Sequence, residues 1–298
     1  IELPMNYSVG EQFIDPKFDP QYQDIQLADV EAANLPASIP RGTDVSRNYT
    51  KRSSISFINV RKNRNPESSK KPKFYDIENV SVSYSFNEES HRDYNIEGAL
   101  SQKVMAAASY NFTFKPKFYE PFKKKELFKS KYLQLIRDIN FNPLPSSLAI
   151  NSRINRNFNE QRSRNLVEGL SAQPTLKQRR FLFDWDYAVA FNFTKSLAVN
   201  FNATNSFIYD AFGSGDDIEI FNNFFNVGRP TQYNQKLNTT YKLPINKIPY
   251  LGFMSLDYAY TADFDWKATS QDASIIERVG NLIQNANTHN VTGSLNFA

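Results

Sequence analysis

Residues 181–193 alternate between large apolar side chains and small or polar ones. The apolar positions are Phe181, Phe183, Trp185, Tyr187, Val189, Phe191 and Phe193, and the positions between them are Leu182, Asp184, Asp186, Ala188, Ala190 and Asn192. Because side chains alternate between the two faces of a β-strand, the pattern predicts a strand with one aromatic face and one polar face. At about 3.3 Å per residue it would reach roughly 40 Å, enough to cross a hydrocarbon layer at the usual tilt of a barrel strand.

The same alternation recurs along most of the chain. It predicts roughly nine strands, at residues 53–61, 79–87, 104–115, 148–158, 181–193, 197–204, 232–243, 252–267 and 290–297. The later connections are of two kinds: short at 194–196 and 244–249, and long at 161–179, 211–230 and 268–288. In strand order the short and long connections alternate, which is typical of outer-membrane barrels with short periplasmic turns and long outer loops.

Three segments do not fit the strand pattern. Residues 1–52 show no persistent period, so we expect an irregular, plug-like loop there and a wall of strands over residues 53–298. Residues 274–277, Ser-Ile-Ile-Glu, resemble a capping box and predict a short loop helix. Residues 122–139 carry apolar side chains at helical spacing after a lysine-rich start, which predicts a helix that lies on a membrane surface or docks a partner, or a solvated helix at the end of the barrel.

Two architectures use such alternating strands. In a soluble β-sandwich the apolar faces of two sheets pack together, whereas in a transmembrane barrel they meet lipid. The polar faces here are rich in Asn, Ser, Asp and Ala, which suits a crowded, water-filled lumen. Residues 252–267 also exceed the usual strand length of about 5–6 residues. We therefore favour an all-β fold of antiparallel strands that forms part of a transmembrane β-barrel, with long loops and short loop helices.

This architecture assigns a direction to each side chain on the best-defined strands. The positions predicted to face the lumen are Asp184, Asp186, Asn192, Asn200, Asn202, Asn234, Asn238, Asp257, Asp263 and Asp265. The positions predicted to face lipid or a partner are Phe183, Trp185, Tyr187, Val189, Phe191, Leu197, Val199, Phe201, Tyr258, Tyr260, Phe264 and Trp266. Aromatic residues cluster toward strand ends, as they do in the girdles at membrane interfaces.

Composition limits the chemistry that the chain can perform. It has no cysteine, which excludes disulfides and thiolate metal sites, and its net charge of +4 is too small and scattered for a nucleic-acid footprint. The two histidines lie far apart and neither has a companion at metal-ligand spacing. Asp184 and Asp186, like Asp263 and Asp265, share a strand face and could act as an acid–base pair, but a polar wall is the preferred interpretation.

Two acidic loops are further candidates. Asp216, Asp217 and Glu219 could bind a cation, and so could Asp15 with Asp19. Solvated acidic loops and acidic turn chemistry explain both patterns more simply. We therefore expect no enzymatic activity, cofactor or metal.

Six short motifs follow one another along the chain: Ile55-Ser-Phe-Ile-Asn-Val-Arg-Lys62, Phe74-Tyr-Asp-Ile-Glu-Asn79, His91-Arg-Asp-Tyr-Asn-Ile96, Asp138-Ile-Asn-Phe-Asn-Pro-Leu-Pro145, Gly280-Asn-Leu-Ile-Gln-Asn285 and Asn290-Val-Thr-Gly-Ser-Leu-Asn296. In this order they resemble the SprA/Sov proteins, the outer-membrane translocon of the type IX secretion system of Bacteroidota. The resemblance extends over nearly the whole chain, although each motif alone is weak.

The resemblance implies a segment of a very large single-chain barrel that exports folded cargo proteins bearing a C-terminal signal. It also implies partners: the rest of its own barrel chain, a PorV-type shuttle barrel at a lateral opening, a periplasmic plug protein and outer-membrane lipids. It carries over no catalytic residues. Because the chain is far shorter than members of that family and stops inside a predicted strand, we expect a fragment of a larger polypeptide.

The primary hypothesis is therefore a structural, non-enzymatic wall segment in the outer membrane of a Gram-negative bacterium. Two alternatives stay open: a barrel that imports small solutes, and a soluble β-sandwich binding module. Pore size and closure distinguish the first alternative. Recovery in buffer without detergent distinguishes the second.

Overall fold

The computed structural model of the chain describes residues 1–298 except 33–41, 68–70, 126–129, 167–170, 172, 214–215, 272–278 and 297–298. In this part of the chain ten strands form one antiparallel sheet, in which each strand pairs with its neighbours in sequence. The strands are β1 (Met5–Ile14), β2 (Asn48–Arg61), β3 (Val80–Arg92), β4 (Ile96–Thr113), β5 (Ser147–Ser163), β6 (Leu176–Asn192), β7 (Leu197–Tyr209), β8 (Arg229–Leu243), β9 (Met254–Lys267) and β10 (Leu282–Leu295). The predicted all-β fold is confirmed, and β1 and β10 are the open edges of the sheet.

The pairing register keeps the two faces of the sheet separate apart from three irregularities, which lie between Phe57 and Val60, Ile96 and Gly98, and Ser206 and Phe207. Residues directly opposite each other in an antiparallel pair share a face, so a constant register carries the alternation of one strand to the next. Tyr187, for example, lies opposite Ile150 of β5 and Ala203 of β7, whereas Asp186 lies opposite Asn151 and Thr204. We call the side that holds Tyr187 the aromatic face and the side that holds Asp186 the polar face.

The prediction of an irregular segment over residues 1–52 is wrong for Met5–Ile14, which pairs with β2 along its full length. Glu11 lies on the aromatic face of β1 and interrupts the alternation of apolar and polar residues along this strand. Its carboxylate accepts a hydrogen bond from Tyr49 at 3.1 Å and lies 3.7 Å from the ammonium of Lys51. The predicted domain boundary at residue 53 therefore falls within a strand.

The helices are shorter than predicted. Between residues 122 and 139 the described part contains only a 3₁₀ turn, Lys131–Leu133, and one helical turn, Gln134–Arg137. Ser130 caps the start of the 3₁₀ turn, because its side-chain oxygen accepts a hydrogen bond from the N–H of Tyr132 at 3.4 Å. The other helices are Leu27–Ala32 and Thr43–Ser46, with 3₁₀ turns at Ile77–Asn79 and Ile245–Lys247. The helix predicted at 274–277 lies outside the described residues.

Connections leave the sheet at two ends, which we name after the residues found there. The Phe181 end carries 15–47, 93–95, 164–175, 210–228 and 268–281, and the Leu197 end carries 62–79, 114–146, 193–196 and 244–253. From β5 onward the predicted alternation holds, with long loops at the Phe181 end. The alternation does not extend before β5, where the three-residue connection 93–95 lies at that end and the long segment 114–146 at the other.

The sheet has little core. The chain exposes 20268 Å², whereas a compact monomer of 34.3 kDa would expose about 12,900 Å². The main buried cluster lies at the Phe181 end of the aromatic face and consists of Val104, Phe158, Phe181, Tyr209 and Ile220. No helix in the described part of the chain is long and apolar enough to cross a membrane.

Candidate functional site: the two faces of the sheet and the loop over one end

All ten positions predicted to face a lumen share the polar face. One row crosses β5 to β9 through Asn151, Asp186, Thr204, Asn234 and Asp265, each opposite the next. The register places the remaining predicted positions on the same side. The structure thus brings these residues together on one surface, while its contact with water stays a prediction.

Two carboxylates on the polar face, Asp186 and Asp263, are engaged by neighbouring side chains of the protein. Asn151 donates a hydrogen bond to Asp186 at 2.8 Å, and the ammonium of Lys236 lies 3.4 Å from Asp263. Such cross-strand pairs stabilise the sheet. The same kind of contact recurs on distant strands, where Ser101 donates to Asn159 at 2.8 Å. A polar wall accounts for these groups without an acid–base role.

All twelve positions predicted to face lipid or a partner share the aromatic face. Their rings form extended contacts: the Trp185 and Tyr187 centroids are 5.2 Å apart, and Tyr187 lies 5.8 Å from Phe201. Phe183 contacts Phe207 across β7 at 5.7 Å. The described residues form no second sheet that could cover this face, as a β-sandwich would require. The described residues thus leave the middle of the aromatic face without a covering sheet.

The aromatic character ends at β9. On the same face of β10 the middle positions are Asn285, Asn287 and His289, opposite Phe264, Ala262 and Tyr260. The hydroxyl of Tyr258 lies 2.7 Å from Nδ1 of His289. Because the alternate positions of β10 are also mostly polar, this edge strand presents polar groups on both sides. The sequence pattern found only the last part of this strand, because its middle lacks an apolar alternation.

The described part of loop 210–228, residues 210–213 and 216–228, folds over the Phe181 end of the aromatic face and is anchored by a buried arginine. Arg156 is 1% exposed and lies on the aromatic face. Its guanidinium donates to the carbonyl oxygens of Ile220 at 3.0 Å, Asn222 at 2.6 Å and Asn223 at 2.5 Å. It also lies 5.1 Å from the ring centroid of Phe224. Three backbone acceptors and an aromatic ring make the buried charge tolerable.

A second arginine and a lysine secure the same loop. Arg179 donates to the carbonyl oxygens of Ile218 at 2.9 Å and Asp216 at 2.8 Å. The ammonium of Lys177 lies 2.5 Å from Asp217, and this hydrogen bond is the main cause that lowers the pKa of the Asp217 carboxyl.

The acidic loop that was a candidate cation site is therefore tied to the sheet. The Asp216 carboxylate accepts the N–H of Gly213 at 2.6 Å, so a backbone donor already occupies one of its oxygens. The described residues contain no cluster of three or more potential metal ligands. Sequence reasoning missed the anchoring role of Arg156, although a signal existed: it interrupts the apolar positions Leu148, Ile150, Ile154 and Phe158 of one strand face.

No protein-family model matches the chain, and comparison with curated proteins finds no match. The resemblance to the SprA/Sov proteins therefore stays a prediction from the motifs. The two faces of the sheet are the observations on which a function can be proposed.

Proposed function

We propose that the chain is a non-enzymatic segment of the wall of a large outer-membrane channel that exports folded proteins, as the resemblance to the type IX translocon implies. One observation carries the membrane part of this proposal. The register places ten predicted lumen positions on one face and twelve predicted lipid positions on the other, without exception. A protein wall between water and lipid needs this separation on every strand that contacts lipid.

The dimensions of the uncovered aromatic face support a membrane contact. Loop 210–228 covers the face at Phe181, which is 1% exposed. From Phe183 to Phe193 the chain advances about 33 Å, or about 25 Å along the membrane normal at a tilt near 40°. This height equals the apolar band of outer-membrane barrels, about 25 Å. The covered residues lie just outside that band, where a buried arginine and its loop are acceptable.

The polar face supports a conduit for large cargo. Its side chains are mostly Asn, Ser, Thr, Ala and Asp, so a moving protein would meet hydrated groups and few apolar ones to which it could adhere. We propose that the wall continues beyond β1 and β10, because an unpaired edge in lipid is costly. Lipid would then contact the aromatic face up to β9, and the polar edge β10 would meet a protein partner, such as the PorV-type shuttle barrel. A periplasmic plug protein would close the pore.

Transport of a folded reporter tests the proposal. The polypeptide that carries this chain is reconstituted in vesicles and challenged with a folded fluorescent protein, with and without a C-terminal export signal. The proposal predicts passage of the tagged reporter and exclusion of the untagged one when shuttle and plug partners are present. Passage of small sugars alone would indicate a solute barrel, and recovery of the polypeptide in buffer without detergent would contradict a membrane wall.

A further inference from the structure

A basic, aromatic-lined cavity lies at the Leu197 end of the aromatic face. It has a volume of about 390 Å³, and its apolar lining includes Phe74, Phe112, Phe114 and Leu144. Phe112 lies on the aromatic face of β4, opposite Leu148. Phe74 and Leu144 are 57% and 44% exposed, although both are large and apolar. A ligand in this cavity would remove that apolar surface from water.

The outer wall of the cavity is held in place by hydrogen bonds rather than left free. The hydroxyl of Tyr110 donates a hydrogen bond to the carbonyl oxygen of Phe74 at 2.6 Å. The side-chain amide of Asn79 donates one to the carbonyl oxygen of Lys73 at 2.8 Å. The N–H of Lys73 in turn donates to the Asp76 carboxylate at 2.7 Å. Residues 73–79 are therefore held in place before any ligand arrives, which lowers the entropic cost of binding.

The charged groups of the cavity are all cationic. Lys71, Lys73 and Lys115 belong to its lining, and no carboxylate does among the described residues. The ammonium of Lys73 lies 5.3 Å from the ring centroid of Tyr75, which steers it along the aromatic wall. The nearby Asp76 carboxylate lies 3.8 Å from the guanidinium of Arg64. The positive charge of Arg64, outside the cavity, therefore opposes the negative charge of Asp76.

We infer that this cavity binds an anionic phospholipid, with the phosphate on the lysines and an acyl chain along Phe112, Phe114 and Leu144. An apolar cavity beside several ammonium groups matches an amphiphile better than a free anion, which would leave the aromatic lining exposed. Its place at the end of the aromatic face puts the lysines at the level of lipid headgroups, where basic residues attract anionic lipids. The inference rests on the proposed membrane wall and names a specific lipid site on it.

Native mass spectrometry tests the inference. The polypeptide that carries this chain is purified in detergent and titrated with phosphatidylglycerol or phosphatidylcholine. The variant K71Q/K73Q/K115Q removes the three lining charges. The matched control K123Q/K124Q/K125Q removes three charges from the segment 114–146 at the same end of the sheet, outside the cavity. Leu144→Ser shortens the apolar lining at an exposed loop position without changing the charge.

We expect phosphatidylglycerol to bind in preference to phosphatidylcholine, and the lining variant to lose about tenfold or more of this affinity while the control retains it. Leu144→Ser should weaken lipid binding and leave the weak binding of inorganic phosphate unchanged. Equal affinity of the two triple variants, no preference between the lipids, or displacement of lipid by inorganic phosphate would overturn the inference. Recovery of the polypeptide without detergent contradicts the wall itself, so the two failures are distinguishable.

Discussion

The guanidinium carbon of Arg156 lies 4.5 Å from the ring centroid of Phe181, and the two residues are partners across β5 and β6. A charge thus sits on the aromatic face, buried under loop 210–228. Because lipid could not satisfy its donors, the loop backbone must do so, and the covered area must lie outside the apolar band. This pair therefore sets the limit of the proposed lipid contact at one end of the sheet.

Replacing Arg156 with Met should release the loop and leave the sheet intact. Three hydrogen bonds from a charged donor are lost, whereas the methionine still packs against Phe181. We expect the free energy of local opening over residues 216–226, measured by hydrogen exchange, to fall by about 2–3 kcal/mol.

Arg153→Met is the matched control for this change. Arg153 is an exposed arginine on the polar face of the same strand, opposite Asp184. Its loss should leave exchange in residues 216–226 unchanged. Equal protection of this segment in wild type and Arg156→Met would show that the arginine does not anchor the loop.

Arginine substitutions at two neighbouring residues of β6 should have different effects, because the two residues lie on opposite faces of the sheet. Val189 lies on the aromatic face and Ala188 on the polar face, both near the middle of the proposed apolar band from Phe183 to Phe193. Near the midplane, Val189→Arg should cost about 2–4 kcal/mol of membrane stability, and Tyr187→Arg a similar amount. Ala188→Arg should assemble normally and reduce transport. Folding titrations in vesicles measure the first effect, and equal tolerance of all three variants would show that the faces are wrongly assigned.

Both tryptophans of the chain lie in one row on the aromatic face. Trp185 is opposite Asn205, Asn205 is opposite Tyr233, and Tyr233 is opposite Trp266. A row that mixes Trp, Tyr and Asn suits the membrane interface. In vesicles, lipids brominated near the headgroup should therefore quench their fluorescence more strongly than lipids brominated near the chain end. Efficient quenching by aqueous acrylamide and none by either lipid would place the row in water.

Acid should open the β3–β4 turn and spare the β6–β7 turn. Asp93 Oδ1 accepts the N–H groups of Asn95 at 2.8 Å and Ile96 at 2.7 Å. Burial raises the pKa of Asp93. The hydrogen bonds from these N–H groups and from His91 together lower this pKa by more than burial raises it, so the pKa of Asp93 lies below its ordinary value. The Asp93 carboxylate therefore stabilises the β3–β4 turn fully above the ordinary pKa of an aspartate, about 3.9. This stabilisation is lost as the pH falls through the lower pKa that Asp93 has in the folded protein.

Pepsin cleavage measures this difference. Thr194 makes the equivalent turn with a hydroxyl, which accepts the N–H groups of Ser196 at 3.1 Å and Leu197 at 2.9 Å and does not titrate. Cleavage within 93–96, normalised to cleavage within 193–197, should rise between pH 4 and pH 2. In Asp93→Asn the ratio should be independent of pH. A ratio that rises equally in both proteins would mean that another group controls the turn.

The sequence predicted the strands well because their signal is local. Period-two alternation is set by the geometry of each strand, and a constant register then transmits it across the sheet. The alternation did not predict strand β1 because Glu11 occupies a position on the aromatic face. There its carboxylate contacts Lys51 and Tyr49 of the neighbouring strand. No local pattern contains that pairing.

The loop anchor could not be derived from sequence for the same reason. Arg156 binds carbonyl groups that lie more than sixty residues away in the chain. The break in the apolar alternation of β5 indicated an exception but not its partner. The cavity near Phe74 likewise depends on how the connection 62–79 folds back onto β4, which only the three-dimensional arrangement shows.

The most direct test of the central claim compares the environments of two adjacent residues. The chain has no cysteine, so a spin label can be attached to a single cysteine at position 188 or 189 without background from this chain. In vesicles, the account predicts that a label on Val189→Cys collides with oxygen dissolved in lipid, and that a label on Ala188→Cys collides with a water-soluble nickel complex. Equal access of the nickel complex to both labels would contradict a wall between lipid and water.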